Sequence, residues 1–372
     1  MAHPLYGADI GTILTVMGRS GFPSKGLEGS GILASALGRA PVSLAEKLIM
    51  DPRLPTTDEM APPVFILGHW RSGTTHLYNT MTKGGQWGYV PPVATGLPWD
   101  LFGIAKVFNP VLERALPSHR YIDKIPVHPD SPQEDEIAVA NMSPLSFYHG
   151  IYFPRDFQEH LQRGLFFDGC SPAAVKAWED RFVYLMRKLY VHQGRKPLLI
   201  KNPVYTGRLA TLRRLFPAAK FIHIHRNPYD VFRSMQNFYA KLLQQFALQS
   251  YDHVDIDAAI LSVYPRMMNA LEADQQGLRA DQFVEVGYDA LDHTPMETVR
   301  HIYTQLGLPD FDEAAPAFEG YLASIKSFEK NQFDYPQANA RKVENHWGAF
   351  LEKWDYQRPR RARQPGPVGS AA

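Results

Sequence analysis

The stretch that decides the fold is residues 64–75, which read Val-Phe-Ile-Leu-Gly-His-Trp-Arg-Ser-Gly-Thr-Thr. Its first four residues form a short, continuous apolar run, the pattern of a strand buried on both faces. A loop bounded by Gly68 and Gly73 follows, and a helical pattern then runs from Thr74 to Met81. A glycine loop between a strand and a helix start brings backbone N–H groups toward an anion. The stretch therefore predicts an α/β protein with an anion-binding loop.

Three further apolar runs, each followed by a helical pattern, repeat this unit along the chain. The pairs are 198–200 before 207–216, 221–225 before 229–244, and 283–286 before 296–306. Alternation of this kind predicts a mainly parallel β-sheet flanked by helices. The predicted fold class is therefore α/β with a P-loop-like core.

The remaining segments suggest how the chain is divided. Residues 1–60 are predicted to be an N-terminal helical preamble, with a helix from Pro41 to Met50 entered through Ser43. Residues 61–357 form the main domain, and its segment 84–197 is predicted to be a helical insertion over the substrate cleft. Residues 358–372 are expected to be a disordered tail. The aromatic residues of the insertion fit either an acceptor cleft or a core: Trp87, Tyr89, Trp99, Phe102, Phe147, Tyr148 and Tyr152.

Composition excludes some classes of partner and location. The 372 residues carry 39 lysines and arginines against 38 acids, so no global field attracts nucleic acid or an anionic bilayer. Cys170 is the only cysteine, which rules out an intrachain disulfide and favours a reducing compartment. No signal-peptide pattern is visible, and no apolar run approaches the roughly 20 residues of a membrane span. We therefore expect a cytoplasmic protein.

The loop at 68–75 has the G-x-x-x-x-G spacing of a nucleotide-triphosphatase P-loop, but Thr74 stands where those enzymes have lysine. Arg71 instead places a cation inside the loop. A tight turn with capping Ser and Thr residues is the structural alternative. The string resembles the 5′-phosphosulfate loop of sulfotransferases that use 3′-phosphoadenosine 5′-phosphosulfate (PAPS), specifically of a bacterial branch with the loop G-H-W-R-S-G-T-T. The resemblance implies donor contacts from Arg71, Ser72, Gly73, Thr74 and Thr75.

A second anion motif lies in residues 221–235, which read F-I-H-I-H-R-N-P-Y-D-V-F-R-S-M. Arg226 at a strand end and Ser234 about two helical turns later could close on one phosphate. This spacing matches the 3′-phosphate motif of the same family. Two anion sites at neighbouring strand ends suit a nucleotide phosphorylated at both its 5′ and 3′ positions. His223 and His225 share one strand face, but no third ligand is visible, so we expect core histidines and no metal site.

Lys201 follows another predicted strand and reaches the same edge of the sheet. It could extend to water. The resemblance to the branch that includes tyrosylprotein sulfotransferases makes it a transition-state candidate near the sulfonate.

The segment 131–136, Ser-Pro-Gln-Glu-Asp-Glu, resembles an acidic segment of related bacterial sequences and is the first choice for a general base. Successive helical residues point about 100° apart, so only some of these acids can face one cleft. Glu134 is preferred, and Glu136 stays open. The structural competitor is a capping box in which Ser131 and Glu134 flank a first-turn Pro132. His76 and His128 are outside candidates.

These observations predict a sulfotransferase that moves a sulfonate group from PAPS to an acceptor hydroxyl. Arg71 and Lys201 would neutralise the transferring group, and a carboxylate, Glu134 or Glu136, would take the proton. No metal is required. The acceptor could be a small molecule, a lipid or a glycan, and nucleic acid is not expected. The alternatives are a P-loop-type nucleotide-dependent kinase and a non-catalytic nucleotide-binding module. The oligomeric state stays open.

Overall fold

A four-stranded parallel sheet forms the centre of the computed structural model, which describes residues 3–103, 131–326 and 336–359. The strands are β1 Val64–Leu67, β2 Leu199–Lys201, β3 Lys220–His225 and β4 Phe283–Gly287, in the order β2-β1-β3-β4. Every pairing between them is parallel. The predicted α/β class with a parallel sheet is confirmed.

The strand register brings the chemically distinctive residues to one edge of the sheet. Ile66 of β1 pairs with Lys201 of β2, and Leu67 pairs with His223 of β3. His225 pairs with Gly287 at the end of β4. The carboxyl ends of parallel strands lie together, and the crevice beyond them is where open α/β sheets bind ligands.

Helices cover both faces of the sheet and extend well beyond it. The α-helices are α1 Ile10–Ser20, α2 Gly26–Met50, α3 Thr74–Thr82, α4 Pro92–Gly96, α5 Glu136–Met142, α6 Tyr148–Tyr152, α7 Phe157–Phe166, α8 Pro172–His192, α9 Leu209–Leu215, α10 Pro228–Phe246, α11 Ile256–Gln275, α12 Tyr288–His293, α13 Pro295–Leu306, α14 Phe311–Ser324 and α15 Gln337–Lys353. Single 3₁₀ turns occur at Pro4–Gly7, Asp51–Arg53, Thr57–Glu59, Pro98–Asp100, Pro154–Asp156 and Pro203–Gly207. Over the described ranges, none of these helices has the length and apolar character needed to cross a membrane.

Alternate residues of each strand supply two separate cores, because neighbouring side chains in a strand point to opposite faces. Phe65 and Phe221 join the larger cluster, which extends through α6, α8, α10 and α11. Ile66 and Ile222 join the smaller cluster with α3, α13 and α14. Leu5, Ile13 and Ile32 belong to the larger cluster, so the first helices are packed onto the same body.

The predicted helix at Pro41–Met50 is too short, because α2 begins at Gly26 and runs through Pro41 without ending. A proline removes one backbone hydrogen bond and strains the preceding turn. Buried residues on both sides of it, Ile32 and Ala36 before and Glu46 after, anchor the helix to the protein. Tertiary packing therefore overrides the local signal to stop.

Candidate functional site

The loop after β1 needs glycine at both of its ends. Gly68 has a φ of 142°, and a Cβ there would lie 2.5 Å from the Ile224 carbonyl oxygen. Gly73 has a φ of 101°, and a Cβ there would lie 2.3 Å from the Tyr288 ring. Any side chain at either position would collide with a neighbour and strain the backbone. The two glycines thus let the loop fold tightly against β3 and α12.

Arg71 connects this loop to the second motif. Its φ of 69° is uncommon for a residue with a side chain, and such strain concentrates at functional sites. The Arg71 Nε donates a hydrogen bond of 2.8 Å to the Ser234 Oγ on α10. The Arg226 Nη1 donates to the Arg71 carbonyl oxygen at 3.3 Å. The two motifs predicted separately from the sequence therefore touch each other.

Buried polar atoms around this junction have unused hydrogen-bonding capacity. Within the described part of the chain, the Arg226 Nε and the Ser72 Oγ are buried without a hydrogen-bond partner. The Arg226 guanidinium stacks 4.4 Å from the Tyr288 ring centre and lies 3.5 Å from Asp230. An unsatisfied buried donor costs about 1–3 kcal/mol, so such atoms usually indicate an absent partner. Their chemistry fits an anion.

Lys201 lies at the other side of the same loop. Its ammonium is 3.2 Å from the Thr75 Oγ1 and forms an ion pair with the Glu134 carboxylate. The Lys201 side chain is buried, whereas 15 % of the Glu134 side chain is exposed. One cation thus joins the start of α3 to the acidic segment at the edge of the sheet.

The structural alternative for the acidic segment, a capping box at Ser131, Pro132 and Glu134, does not form. Helix α5 begins only at Glu136, and Asp135 precedes it without a side-chain capping bond. Residues 131–134 have no regular structure. The Glu134 carboxylate pairs with Lys201, so it is directed toward the sheet edge rather than toward a helix start.

Glu136 and Asp135 point into the protein interior. Glu136 accepts hydrogen bonds from the Ser146 hydroxyl at 2.7 Å, the Phe147 N–H at 3.1 Å and the Asn202 amide at 2.9 Å. Asp135 accepts from the Asn202 amide at 2.9 Å and from the Tyr205 hydroxyl. Burial raises the pKa of both acids, that of Asp135 to about 7. Among the three acids, Glu134 is the one that reaches Lys201.

Asn202 is part of the candidate site, and sequence reasoning missed it. It follows Lys201 directly, and its side-chain amide bridges Asp135 and Glu136, which follow Glu134 directly. The two segments are therefore joined twice, once by the Lys201–Glu134 ion pair and once by the buried Asn202 amide. The sequence feature that could have identified Asn202 is its position between Lys201 and Pro203, where a polar residue ends an apolar strand. Tyr205, which lies in the 3₁₀ turn that follows, was missed for the same reason.

The two β3 histidines have packing and hydrogen-bonding partners within the protein. His223 hydrogen-bonds Glu285 at 2.8 Å, and His225 stacks on Trp354 with ring centres 4.4 Å apart. Burial lowers the pKa of His225 to about 4, as expected for a packed neutral imidazole. The described residues contain no group of three or more metal-binding side chains. His76 follows Thr75 on α3, and His128 lies outside the described residues.

The aromatic residues of the insertion were predicted to line an acceptor cleft or to form part of a core. Trp87, Phe147, Tyr148 and Tyr152 are buried and belong to the cores. Tyr89, Trp99 and Phe102 are only partly buried. The fully buried members contribute to packing rather than to an open cleft.

The buried Asp135 predicts a pH effect on stability. Because its folded pKa is about 7, above the usual 3.8, its contribution to the free energy of unfolding is fully present below about pH 4 and lost as the pH rises through 7. We expect Asp135→Asn to remove this slope. Relative to the variant, the wild type should lose up to about 4 kcal/mol between acidic and alkaline conditions. Urea unfolding of both proteins across this range measures the difference, and parallel stability curves would contradict it.

Comparisons with known proteins identify the family and the fold. The model of the sulfotransferase family matches residues 62–313, from the start of β1 into α14. A relative in Mycobacterium tuberculosis and Mycobacterium bovis, the omega-hydroxy-beta-dihydromenaquinone-9 sulfotransferase Stf3, is 29% identical over 337 residues. That alignment covers 88% of this chain and 84% of the relative.

Two solved structures share the fold. Sulfotransferase STF9 from Mycobacterium avium superposes with a TM-score of 0.66 at 15% identity, covering 94% of this chain and 97% of its own. STF1 from Mycobacterium tuberculosis gives a TM-score of 0.62 at 17% identity, covering 91% of both chains. The architecture is thus that of the P-loop-like sulfotransferases.

The family match and the fold together define the class of enzyme, one that performs PAPS-type sulfonate transfer to an acceptor hydroxyl. The chain belongs to the sulfotransferase family. Membership of this family argues against the two alternative functions, a nucleotide-dependent kinase and a non-catalytic nucleotide-binding module.

Proposed function

We propose that PAPS itself is the donor and lies across the junction of the two anion motifs. Its 5′-phosphosulfate would contact the loop residues Arg71, Ser72, Gly73, Thr74 and Thr75. Its 3′-phosphate would lie between Arg226 and Ser234. The observation that carries the proposal is the direct Arg71–Ser234 hydrogen bond, because two motifs in contact could bind the two ends of one nucleotide. The unpartnered Arg226 Nε and Ser72 Oγ support it, since both could donate to an anion.

Glu134 is the proposed general base, and Lys201 the proposed stabiliser of the transferring group. Transfer forms a bond from the acceptor oxygen to sulfur and breaks the bond from sulfur to the 5′-phosphate oxygen, which keeps the electron pair. Glu134 would take the hydroxyl proton, and Lys201 and Arg71 would offset the negative charge on the separating oxygens. The contacts of Lys201 with both Thr75 and Glu134 support this division of roles. Glu136, the sequence alternative, has its oxygens occupied by interior donors.

The acceptor is proposed to be the hydroxyl of a lipid rather than of a glycan or a polar small molecule. Stf3 acts, by its name, on an omega-hydroxylated dihydromenaquinone, which is a lipid. The alignment with it extends over most of both chains. A cytoplasmic location stays a prediction, motivated by the single cysteine, Cys170.

A nucleotide-binding experiment tests the donor site. Arg226→Met and Ser234→Ala should weaken 3′-phosphoadenosine 5′-phosphate far more than adenosine 5′-phosphosulfate, because only the former carries the 3′-phosphate. We expect roughly a ten- to hundredfold loss for the arginine change, since charge-assisted hydrogen bonds contribute about 1.5–3 kcal/mol. Calorimetric titration in the presence of a chelator measures both affinities.

Arg300→Met is the control, because Arg300 lies on α13 and its guanidinium is paired with Asp312 at 3.0 Å and stacked over the Phe311 ring. It should leave both affinities nearly unchanged. Equal weakening of the two nucleotides by Arg226→Met would show that the 3′-phosphate site is misassigned. Tight ATP binding that disappears with the chelator, without affinity for the bisphosphate, would overturn PAPS as the donor.

A further inference from the structure

The outer side of α2 exposes large apolar side chains near its start and throughout its second half. Leu27 is 95%, Leu48 70% and Leu37 61% exposed, and Leu44 and Ile49 are exposed as well. Within the residues that the structure describes, every exposed large hydrophobic side chain lies between Leu14 and Ile49. A concentration of this kind marks an interaction surface, because soluble monomers scatter such residues singly. We call the exposed apolar side of α2 the α2 face.

The α2 face is too broad for a simple helix pair. Successive helical residues are rotated by about 100°, so the arc from Leu44 to Val42 across the outer side spans about 160°. An apolar stripe that packs on another element covers about 100°. A helix lying in a membrane interface instead immerses one whole side. The breadth of the apolar arc therefore favours insertion into a lipid bilayer over packing against a second protein.

The charges around the α2 face favour an anionic surface. Between residues 25 and 53 the exposed charged residues are Lys25, Lys47 and Arg53, all of them basic. The three acids of this segment are less accessible: Glu46 is buried in an ion pair with Lys188, and Glu28 and Asp51 are half-buried. Basic residues beside an immersed apolar side bind anionic headgroups.

The inner side of α2 is bonded to the segment that contacts α5, the helix next to the proposed base. Arg39 forms an ion pair with Asp100, and Glu46 accepts a hydrogen bond of 3.0 Å from the Phe102 N–H. The segment that contains these partners is in turn bonded to α5, through the Trp99 Nε1 and the Asn141 carbonyl oxygen at 3.1 Å. Helix α5 directly follows Glu134 and Asp135. The α2 face and the proposed base thus belong to one connected layer.

We propose that the α2 face binds the surface of an anionic lipid bilayer and thereby holds the acceptor cleft at the membrane. This inference rests on the proposed function, because it explains how the enzyme reaches a lipid hydroxyl. It assigns α2 a role in substrate access.

Vesicle co-sedimentation tests the inference. Vesicles that contain phosphatidylglycerol should carry the wild-type protein down, and Leu37→Glu/Leu44→Glu/Leu48→Glu should weaken binding about a hundredfold or more, because three apolar side chains are replaced by charges. The matched control, Thr304→Glu/Ala317→Glu/Ala323→Glu, adds the same charges at exposed positions of α13 and α14 and should bind like the wild type. Lys25→Gln/Lys47→Gln should weaken binding to anionic vesicles but not to neutral ones.

Activity separates this inference from the proposed function. With a tail-truncated, water-soluble hydroxylated quinone as acceptor, the triple leucine variant should turn over at the wild-type rate. With the full-length lipid in vesicles, its rate should fall at least tenfold. If the wild-type protein does not bind vesicles but still transfers sulfonate to the soluble acceptor, membrane binding is overturned and the proposed function is retained. A concentration-dependent dimer abolished by the triple variant, seen by sedimentation velocity, would assign the α2 face to a second copy and overturn the inference.

Discussion

Glu134→Gln should lower turnover by about 10²–10⁴, the usual contribution of a general base, while affinity for the donor nucleotide stays nearly intact. Glutamine keeps the length of the side chain. Its carbonyl oxygen can still accept the hydrogen bond that Lys201 donates to Glu134 in the wild type. It cannot take a proton from the acceptor at neutral pH. Single-turnover rates with bound donor, measured beside the nucleotide affinity, separate the two effects.

Glu136→Gln is the matched control for that experiment. The Glu136 carboxylate accepts from Asn202, Ser146 and Phe147, so an amide would set its own N–H groups against one of these donors. We expect a loss of stability of about 1–3 kcal/mol with turnover of the folded enzyme largely retained. Near-normal turnover in Glu134→Gln and abolished turnover in Glu136→Gln would assign the base to Glu136. If both variants stay active, the acidic segment is structural.

Lys201→Met should lower turnover by about 10²–10³, the range seen when one preorganised charge donor is removed from a transition state. Methionine has similar length and suits the buried strand end, but it cannot stabilise developing charge. The variant also leaves Glu134 without its ion-pair partner. Turnover at saturating donor and acceptor is the measurement.

Lys188→Met controls for the loss of any buried lysine. Lys188 is fully buried and ion-paired with Glu46 at 2.7 Å, so its removal should lower the melting temperature but not the turnover of folded protein. If Lys201 and Glu134 act as a unit, Lys201→Met/Glu134→Gln should lose little more activity than the more damaging single change. Fully multiplicative losses would contradict that coupling.

The sequence predicts the sheet well because its signals are local. Four short apolar runs followed by helical patterns appear as β1 to β4, with ends that differ by a residue at most. The strand-order of the sheet was not predicted, since it depends on pairing between distant segments. The glycine loop could also be predicted locally. The backbone at Gly73, with a φ of 101°, favours glycine whatever surrounds it.

The contacts of the site depend on long-range geometry and were only partly predictable. Lys201 and Glu134 were chosen separately, and nothing in their spacing indicates that they form an ion pair. Asn202 was missed because its role depends on two acids that precede it by more than sixty positions in the chain. The acidic segment also has the sequence pattern of a capping box, but Glu134 pairs with Lys201, a residue 67 positions away, and the helix begins at Glu136.

The strand order has a consequence for synthesis on the ribosome. β1 is the first strand to emerge, yet both of its neighbours, β2 at Leu199–Lys201 and β3 at Lys220–His225, are translated much later. Until Lys201 has left the exit tunnel, the apolar residues 64–67 have no partner strand on either side, and the β3 side stays open until His225 has followed. Unpaired apolar strands are prone to aggregation, and pairing over such sequence separations is slow. The nascent chain therefore passes through a long interval in which a chaperone that binds short apolar segments would have β1 as its natural target.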